Sequence, residues 1–488
     1  MNTPIYDFVK DYASKNSVRL HMPGHKGSNG SEGTTVGSWM DQVSKYDITE
    51  IDGADYLSAP CGIIAESEAN AGKLFECNTF YSTEGSSLCI RAMMFLVKKY
   101  AKKRGHEPLV LAGRNAHASF VNAAALLDIN VEWIMQKESD SYESCSITGE
   151  DIEKVIKGYL DTEYLIKKLP DAVYVTSPDY LGNMLNIKEL GDICHKHGIL
   201  LLVDNAHGAY LKFLEKSLHP IDLGADICCD SAHKTLPVLT GGAYLHIAGV
   251  DAKNNIIEQG IKDKRKFLAD YARQALSVFA TTSPSYLILQ SLDLCNVYLN
   301  GNSAIRKCAD KVEALKKTLK ENGYDLTGDE PLKITVSLFE KEPTADLCNK
   351  LIRKLSDNDI YVEYHDSAHI VMMFSGSTSE EELEIVQKVL TMFADENKDA
   401  LKDLNTGKKA GDSDSRRKKV PYRSMSFKDA MMAPSEQVDV ENSIGKVLAQ
   451  PVLNCPPCVP LYMYGEVIGE DIKNYCTGKV TVVKKGIN

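Results

Sequence analysis

The chain has 488 residues, with 56 basic and 67 acidic side chains and a formal net charge of −11 at pH 7. Hydrophobic residues at 43% and charged residues at 25% are ordinary globular proportions, which excludes a disordered or fibrous chain, and the acidic balance speaks against nucleic-acid binding, which asks for a basic face. No apolar run approaches the ~18 residues of a membrane span and no secretory signal is visible, while 13 scattered Cys, an odd number, fit free thiols in a reducing cytoplasm.

Residues 1–60, rich in Gly, His and Pro, read as an N-terminal arm with one short helix over Pro4–Ser14. From about Glu66 the pattern turns α/β. Leu88–Arg104 carries apolar residues at helical spacing, Leu109–Ala112 is a short apolar run, and Ala118–Asp128 reads as a helix. Val131–Met135 and Ala172–Thr176 read as strands, and Ile187–His197 as a helix closed by Gly198. Ile199–Val203 and Ala225–Cys229 are nearly unbroken apolar runs, the mark of strands buried on both faces. This alternation predicts an α/β large domain over residues 61–290, a mainly parallel sheet flanked by helices.

Residues 291–396 predict a small α+β domain: a long helical stretch from Ser291 to Lys320, strands at Lys333–Phe339 and Ile370–Phe374, and helices at Thr344–Ser356 and Ser379–Asp395. The polar segment 397–424, with the run Arg416-Arg417-Lys418-Lys419, reads as a solvated linker. A compact, Pro-rich C-terminal domain follows over 425–488.

In open parallel sheets, ligands bind at the carboxyl ends of the strands. Four predicted strands end in polar groups: Arg114-Asn115-Ala116-His117, Ser177-Pro178-Asp179-Tyr180, Asp204-Asn205-Ala206-His207-Gly208 and Asp230-Ser231-Ala232-His233-Lys234-Thr235. A Lys just beyond a buried strand, such as Lys234, can be desolvated, which frees its amine for Schiff-base chemistry. Asp204, at the end of an apolar strand, suits the ring nitrogen of pyridoxal phosphate or, equally, the cap of a following helix. His117 suits either a stacking role against a flat ring or an ordinary loop. Gly85-Ser86-Ser87 precedes a helix, where free N–H groups and the dipole favour a phosphate; a plain Ser cap is the alternative. Neither a dinucleotide fingerprint nor a P-loop is present. Cys194-His195-Lys196-His197 at a helix end, the lone Cys455-Pro456-Pro457-Cys458 and the strand pair Cys228-Cys229 do not make a metal site by spacing. Together, the phosphate cradle, carboxylate, stacker and lysine are what a pyridoxal 5′-phosphate site requires.

On its ordered motifs, the sequence resembles the Orn/Lys/Arg decarboxylases, pyridoxal phosphate enzymes of the aspartate-aminotransferase fold (fold type I). The motifs are His21-Met22-Pro23-Gly24-His25-Lys26-Gly27; Asp47-Ile48-Thr49-Glu50-Ile51 with Gly53 and Asp55; Ser231-Ala232-His233-Lys234-Thr235-Leu236-Pro237; Thr281-Thr282-Ser283-Pro284-Ser285-Tyr286; and Pro456-Pro457-Cys458-Val459-Pro460 with Gly465-Glu466. The length resembles the short branch of that family.

The resemblance implies that Lys234 holds the cofactor covalently, that Asp204 pairs with its ring nitrogen, and that His117 stacks on the ring. It implies phosphate contacts from Gly85, Ser86, Ser87, Ser231 and His233, with His207 near the phenolic oxygen and Thr282 reaching the phosphate of a second subunit. It implies a cytoplasmic homodimer or higher homo-oligomer without nucleic-acid or membrane partners. The implied reaction is decarboxylation of arginine, lysine or ornithine to a polyamine-pathway amine. Glu466 is the candidate carboxylate for the substrate's cationic end. An aminotransferase or lyase on the same fold, or a non-catalytic homologue, are the alternatives. Five positions depart from the family's usual residues: Glu84 for Asn, Asn205 for Glu, Tyr210 for His, Asp179 for Thr or Ser, and Cys458 for Gly.

Overall fold

The computed structural model describes residues 1–15, 17–27, 40, 42–135, 137, 141–160, 169–249, 259–301, 303–338, 346–405 and 421–484. Seven strands make the main sheet: β1 (Asn78–Ser82), β2 (Leu109–Gly113), β3 (Asn130–Ile134), β4 (Ala172–Thr176), β5 (Leu200–Asp204), β6 (Ile227–Asp230) and β7 (Ala243–Ile247). The chain divides into two units, Met1–Leu96 with Asn205–Ser303 and Val97–Asp204 with Ala304–Asn488.

In the second unit, β5, β4, β2 and β3 lie side by side in that order, all parallel. Every residue of β5 is buried, as is all of β4 except its last. That is why these segments read as unbroken apolar runs: helices cover both faces of a parallel sheet, so no position can alternate to solvent. The register sets Thr176 beside Asp204, so β5 delivers a carboxylate to the carboxyl edge. The helix Ile187–Lys196 that precedes β5 is capped by the Asn186 side chain and closed by Gly198 at φ +64°.

In the first unit, β7 runs antiparallel to both β1 and β6, with Ser82 opposite Ala243 and Asp230 opposite Tyr244. Neither β1 nor β7 is expected from the sequence. Their interiors hold Thr79, Tyr81 and His246, which are buried while hydrogen-bonded, so hydropathy passes over them. Helix Pro4–Ser14 forms with the expected bounds. Asp293 accepts the N–H groups of Ile5 and Tyr6 (2.9 and 3.0 Å), anchoring that helix by its free amino-terminal donors.

The single helical stretch expected over 291–320 is two helices, Tyr286–Leu299 and Ala304–Glu321. Between them Gly301 takes φ +81°, a left-handed turn that an apolar count cannot register. The small sheet is antiparallel, in the order β10-β11-β9-β8, from β8 (Asp325–Thr327), β9 (Lys333–Ser337), β10 (Tyr364–His365) and β11 (His369–Met373). Helices Ala304–Glu321, Asp346–Ser356 and Glu380–Glu396 accompany it. The expected linker begins as a helix, Lys398–Asn405, and residues 406–420 of it lie outside the described residues. The C-terminal part pairs Ser435–Asp439 with Lys479–Val483 over a small core including Val440, Leu448, Leu461, Ile472 and Val482. Among the described residues, no helix is long and apolar enough to cross a membrane.

Candidate active site

In the first unit the chemistry starts where β6 ends. Ser231 follows Asp230, and a single helical turn, Ala232–Thr235, presents His233 and Lys234. Lys234 Nζ lies 3.0 Å from His207 Nε2. This contact is a hydrogen bond only when one of the two nitrogens is bare, so the pair is built to pass a proton. Lys234 is exposed rather than desolvated, which corrects the expectation drawn from its strand: the turn carries the side chain out beyond the sheet edge. His233 donates from Nδ1 to the Gly242 carbonyl (3.0 Å). Burial, reinforced by the neighbouring Lys234 charge, lowers its pKa, so this imidazole is neutral near pH 7.

The Ser231 hydroxyl donates to Ser86 Oγ (2.7 Å), so two of the expected phosphate ligands meet. Gly85 heads the helix Gly85–Lys103 at φ +72°, and a Cβ there would meet nothing within 4 Å; backbone conformation rather than space requires glycine. Ser87, like Ser86, is half-buried in the first turn of that helix. Glu84 turns away: its Oε1 accepts the N–H of Thr281 (2.7 Å), tethering the Thr281–Tyr286 motif whose Thr282 is exposed. The Glu84 carboxylate, beside the expected phosphate cradle, is thus engaged elsewhere. Among the other motif residues, His25 Nε2 lies 3.2 Å from Asp47, and the Asp55 carboxylate accepts the N–H groups of Cys61, Gly62 and Ile64 at the head of the helix Ile63–Phe75.

One cluster escaped the sequence reading. Asp230 is fully buried and its carboxylate meets four groups: Nε2 of His219 (3.0 Å) and of His246 (3.1 Å), the Asn205 amide (2.7 Å) and the Cys228 thiol (3.3 Å). Burial alone would raise this carboxyl; His219 and His246 overcome it and hold it well below the usual carboxylate range. His219, Cys228 and Asp230 stand close enough to hold a metal ion, but the carboxylate oxygens are already engaged, and the cluster reads as a hydrogen-bond network. Cys228 is therefore more than the core packing expected of it. No local spacing joins residues 205, 219, 230 and 246, so only the fold reveals the group.

In the second unit, Asp204 is 2% exposed and accepts from the Tyr174 hydroxyl (3.1 Å), whose ring packs on Phe120 at 4.2 Å between centroids. His117 is the cap of helix Ala118–Leu127: its Nδ1 accepts the Ser119 N–H (3.1 Å), which leaves the proton on Nε2. The Cys458 carbonyl accepts the N–H of Ala118 (2.9 Å). Arg114 is buried beside it, its Nη2 against both oxygens of Glu466 (2.9 and 3.1 Å) and its guanidinium over the Trp133 ring. Glu466 also accepts the Met463 N–H (2.7 Å) and is 1% exposed. This geometry does not favour Glu466 as the carboxylate for a substrate cation, since its charge is already met by Arg114. Asp179 closes its own turn, accepting from the Asn183 backbone and amide (2.9 and 2.8 Å), and burial raises its pKa. In the first unit the donors are an amine on Lys234 and paired hydroxyls on Ser86 and Ser231; in the second they are a buried carboxylate on Asp204 and an imidazole on His117. Each is a group type that suits one part of pyridoxal 5′-phosphate: the aldehyde, the phosphate, the ring nitrogen and the ring face.

The chain matches the family model described as "Orn/Lys/Arg decarboxylase, major domain" over residues 3–344. It is 28% identical over 485 residues to an arginine decarboxylase of Halalkalibacterium halodurans, covering 96% of this chain and 91% of that one. It is 26% identical over 493 residues to an arginine decarboxylase of Bacillus subtilis, covering 97% and 92%. The fold is similar to that of a Francisella novicida lysine decarboxylase, with a TM-score of 0.74 at 17% identity, covering 99% of this chain and 81% of that one. It is similar more distantly to a Sphingomonas wittichii serine palmitoyltransferase, with a TM-score of 0.53 at 15% identity, covering 82% and 84%.

Proposed function

The chain belongs to the Orn/Lys/Arg decarboxylase family, and on that premise we propose that it removes carbon dioxide from a basic amino acid, arginine before lysine or ornithine, with pyridoxal 5′-phosphate as cofactor. The curated relatives named arginine decarboxylase, matched over nearly the full length of this chain, support that order. The observation that carries the chemistry is the Lys234–His207 pair, an amine with a proton acceptor at 3.0 Å.

Lys234 would hold the cofactor, with Ser86, Ser87, Ser231 and His233 at its phosphate and Gly85 opening the helix start. When bound, the cofactor accepts the electron pair left as the carboxylate departs. This chain's residues supply the rest. Lys234 attacks only as a free amine, and His207 Nε2 is placed to take its proton and return it. Asp204, oriented by the Tyr174 hydroxyl, would hold a proton on the ring nitrogen. His117, held by Ser119, would offer a flat face to the ring. With Glu466 engaged by Arg114, the substrate's cationic end is met by some other carboxylate. A homo-oligomer in the cytoplasm, in which Thr282 serves a neighbouring subunit, completes the reading. The test is release of carbon dioxide by the cofactor-loaded protein from arginine, lysine and ornithine in turn. Release from arginine supports the proposal; release from none of the three, with cofactor bound, overturns it.

A further inference from the structure

Cys455 and Cys458 bracket two prolines in the C-terminal part. The N–H of Cys458 donates to the Asn454 carbonyl (2.8 Å), which closes the turn and folds the second cysteine back toward the first. Cys458 takes φ +59°, the left-handed region that favours glycine. A thiol therefore stands here against the preference of its own backbone. Cys455 is exposed and Cys458 half-buried, whereas Cys89, Cys145, Cys194, Cys228, Cys229, Cys295, Cys308 and Cys348 are buried. The Cys458 carbonyl in turn holds the N–H of Ala118, the residue after His117.

We propose that Cys455 and Cys458 form a thiol–disulfide exchange site for low-molecular-weight disulfides such as oxidised glutathione, and that closing the bridge shifts the His117 end of helix Ala118–Leu127 through the Cys458 carbonyl. The Cys455 thiolate attacks one sulfur of the small disulfide and releases one thiolate. Cys458, as thiolate, then attacks the Cys455 sulfur and releases the second. Two protein protons pass to the two departing thiolates, the protein pair is oxidised by two electrons, and one small disulfide becomes two thiols. The second half of the proposal rests on the reading of His117 as a cofactor-facing residue.

The experiment titrates the cofactor-loaded protein with oxidised and reduced glutathione. Expected are a loss of about 2 Da and a single bridged peptide joining Cys455 to Cys458, reversed by dithiothreitol. The visible circular dichroism of the bound cofactor should shift with the same midpoint, and kcat should fall by about 10- to 100-fold, since a displacement near 1 Å can cost that much. Cys455→Ser should abolish the bridge and the redox response while keeping the activity of the reduced protein, and Cys458→Gly, which suits the backbone, should do the same. No bridge, or a bridge to a different cysteine such as Cys61, overturns the site. A Cys455–Cys458 bridge that leaves the dichroism and kcat unchanged overturns the coupling and leaves the decarboxylase reading standing. A bridge and a dichroism shift in a protein that decarboxylates nothing in either redox state overturns that reading and supports the exchange site.

Discussion

Arg114 and Glu466, 352 residues apart in the chain, form an ion pair in which neither side chain is more than 1% exposed, with Nη2 at 2.9 and 3.1 Å from the two carboxylate oxygens. A buried pair of this kind is costly to make and more costly to break, because a lone charge cannot be rehydrated.

Glu466→Gln should therefore lower folding stability by roughly 3–5 kcal/mol. Urea unfolding of the variant measures it. If Glu466 instead serves the substrate, the same variant should unfold at the wild-type urea concentration and show a raised KM for arginine.

Borohydride reduction of the cofactor-loaded protein should fix the cofactor on Lys234, identified by peptide mapping. A label on Lys26, or none in a loaded sample, would remove Lys234 from the proposed chemistry. His207→Phe should leave the label in place and slow its formation, because the proton acceptor beside the amine is gone.

Asp204→Asn keeps the shape and an acceptor for the Tyr174 hydroxyl but removes the charge. Cofactor should still bind, and kcat should fall on the order of 10²-fold or more, as for the loss of one preorganised electrostatic group. Equal kcat at equal occupancy would sink the role given to Asp204.

Asp293 gives a pH dependence. Burial raises its carboxyl, outweighing the Ser67 hydroxyl and the Tyr6 and Ile5 N–H groups, to about 6 from 3.8. A carboxyl raised on folding contributes stability that is full below its unfolded value and lost as pH rises through the folded one. The difference corresponds to roughly 3 kcal/mol. Wild type relative to Asp293→Asn should lose about that much stability between about pH 3.8 and pH 6 and nothing further above. Unfolding of both proteins across that range checks the sign; a gap that widens in the opposite direction refutes it.

The parallel strands were legible because burial on both faces writes continuous apolar runs, and Ala172–Thr176 forms with the bounds its run predicts. Strands β1 and β7 were not, because Thr79, Tyr81 and His246 are buried through hydrogen bonds rather than hydropathy. Lys234, Ser231 and Ser86 stand out through motif and strand-end logic. The Asp230 cluster and the Arg114–Glu466 pair could not, since each depends on side chains brought together across long stretches of chain. Lys234's exposure was hidden for a related reason: one helical turn after β6 decides where the side chain goes.

The contact between the Asn205 amide and Asp230 Oδ1, 2.7 Å between two buried side chains, limits what position 205 can carry. An amide stands there, and a carboxylate 25 positions later receives its hydrogen bond. A Glu at 205 alone would set two buried carboxylates against each other, a combination that could ionise only in part. The two positions are thus epistatic: a carboxylate at 205 is tolerated only where Asp230 has been neutralised.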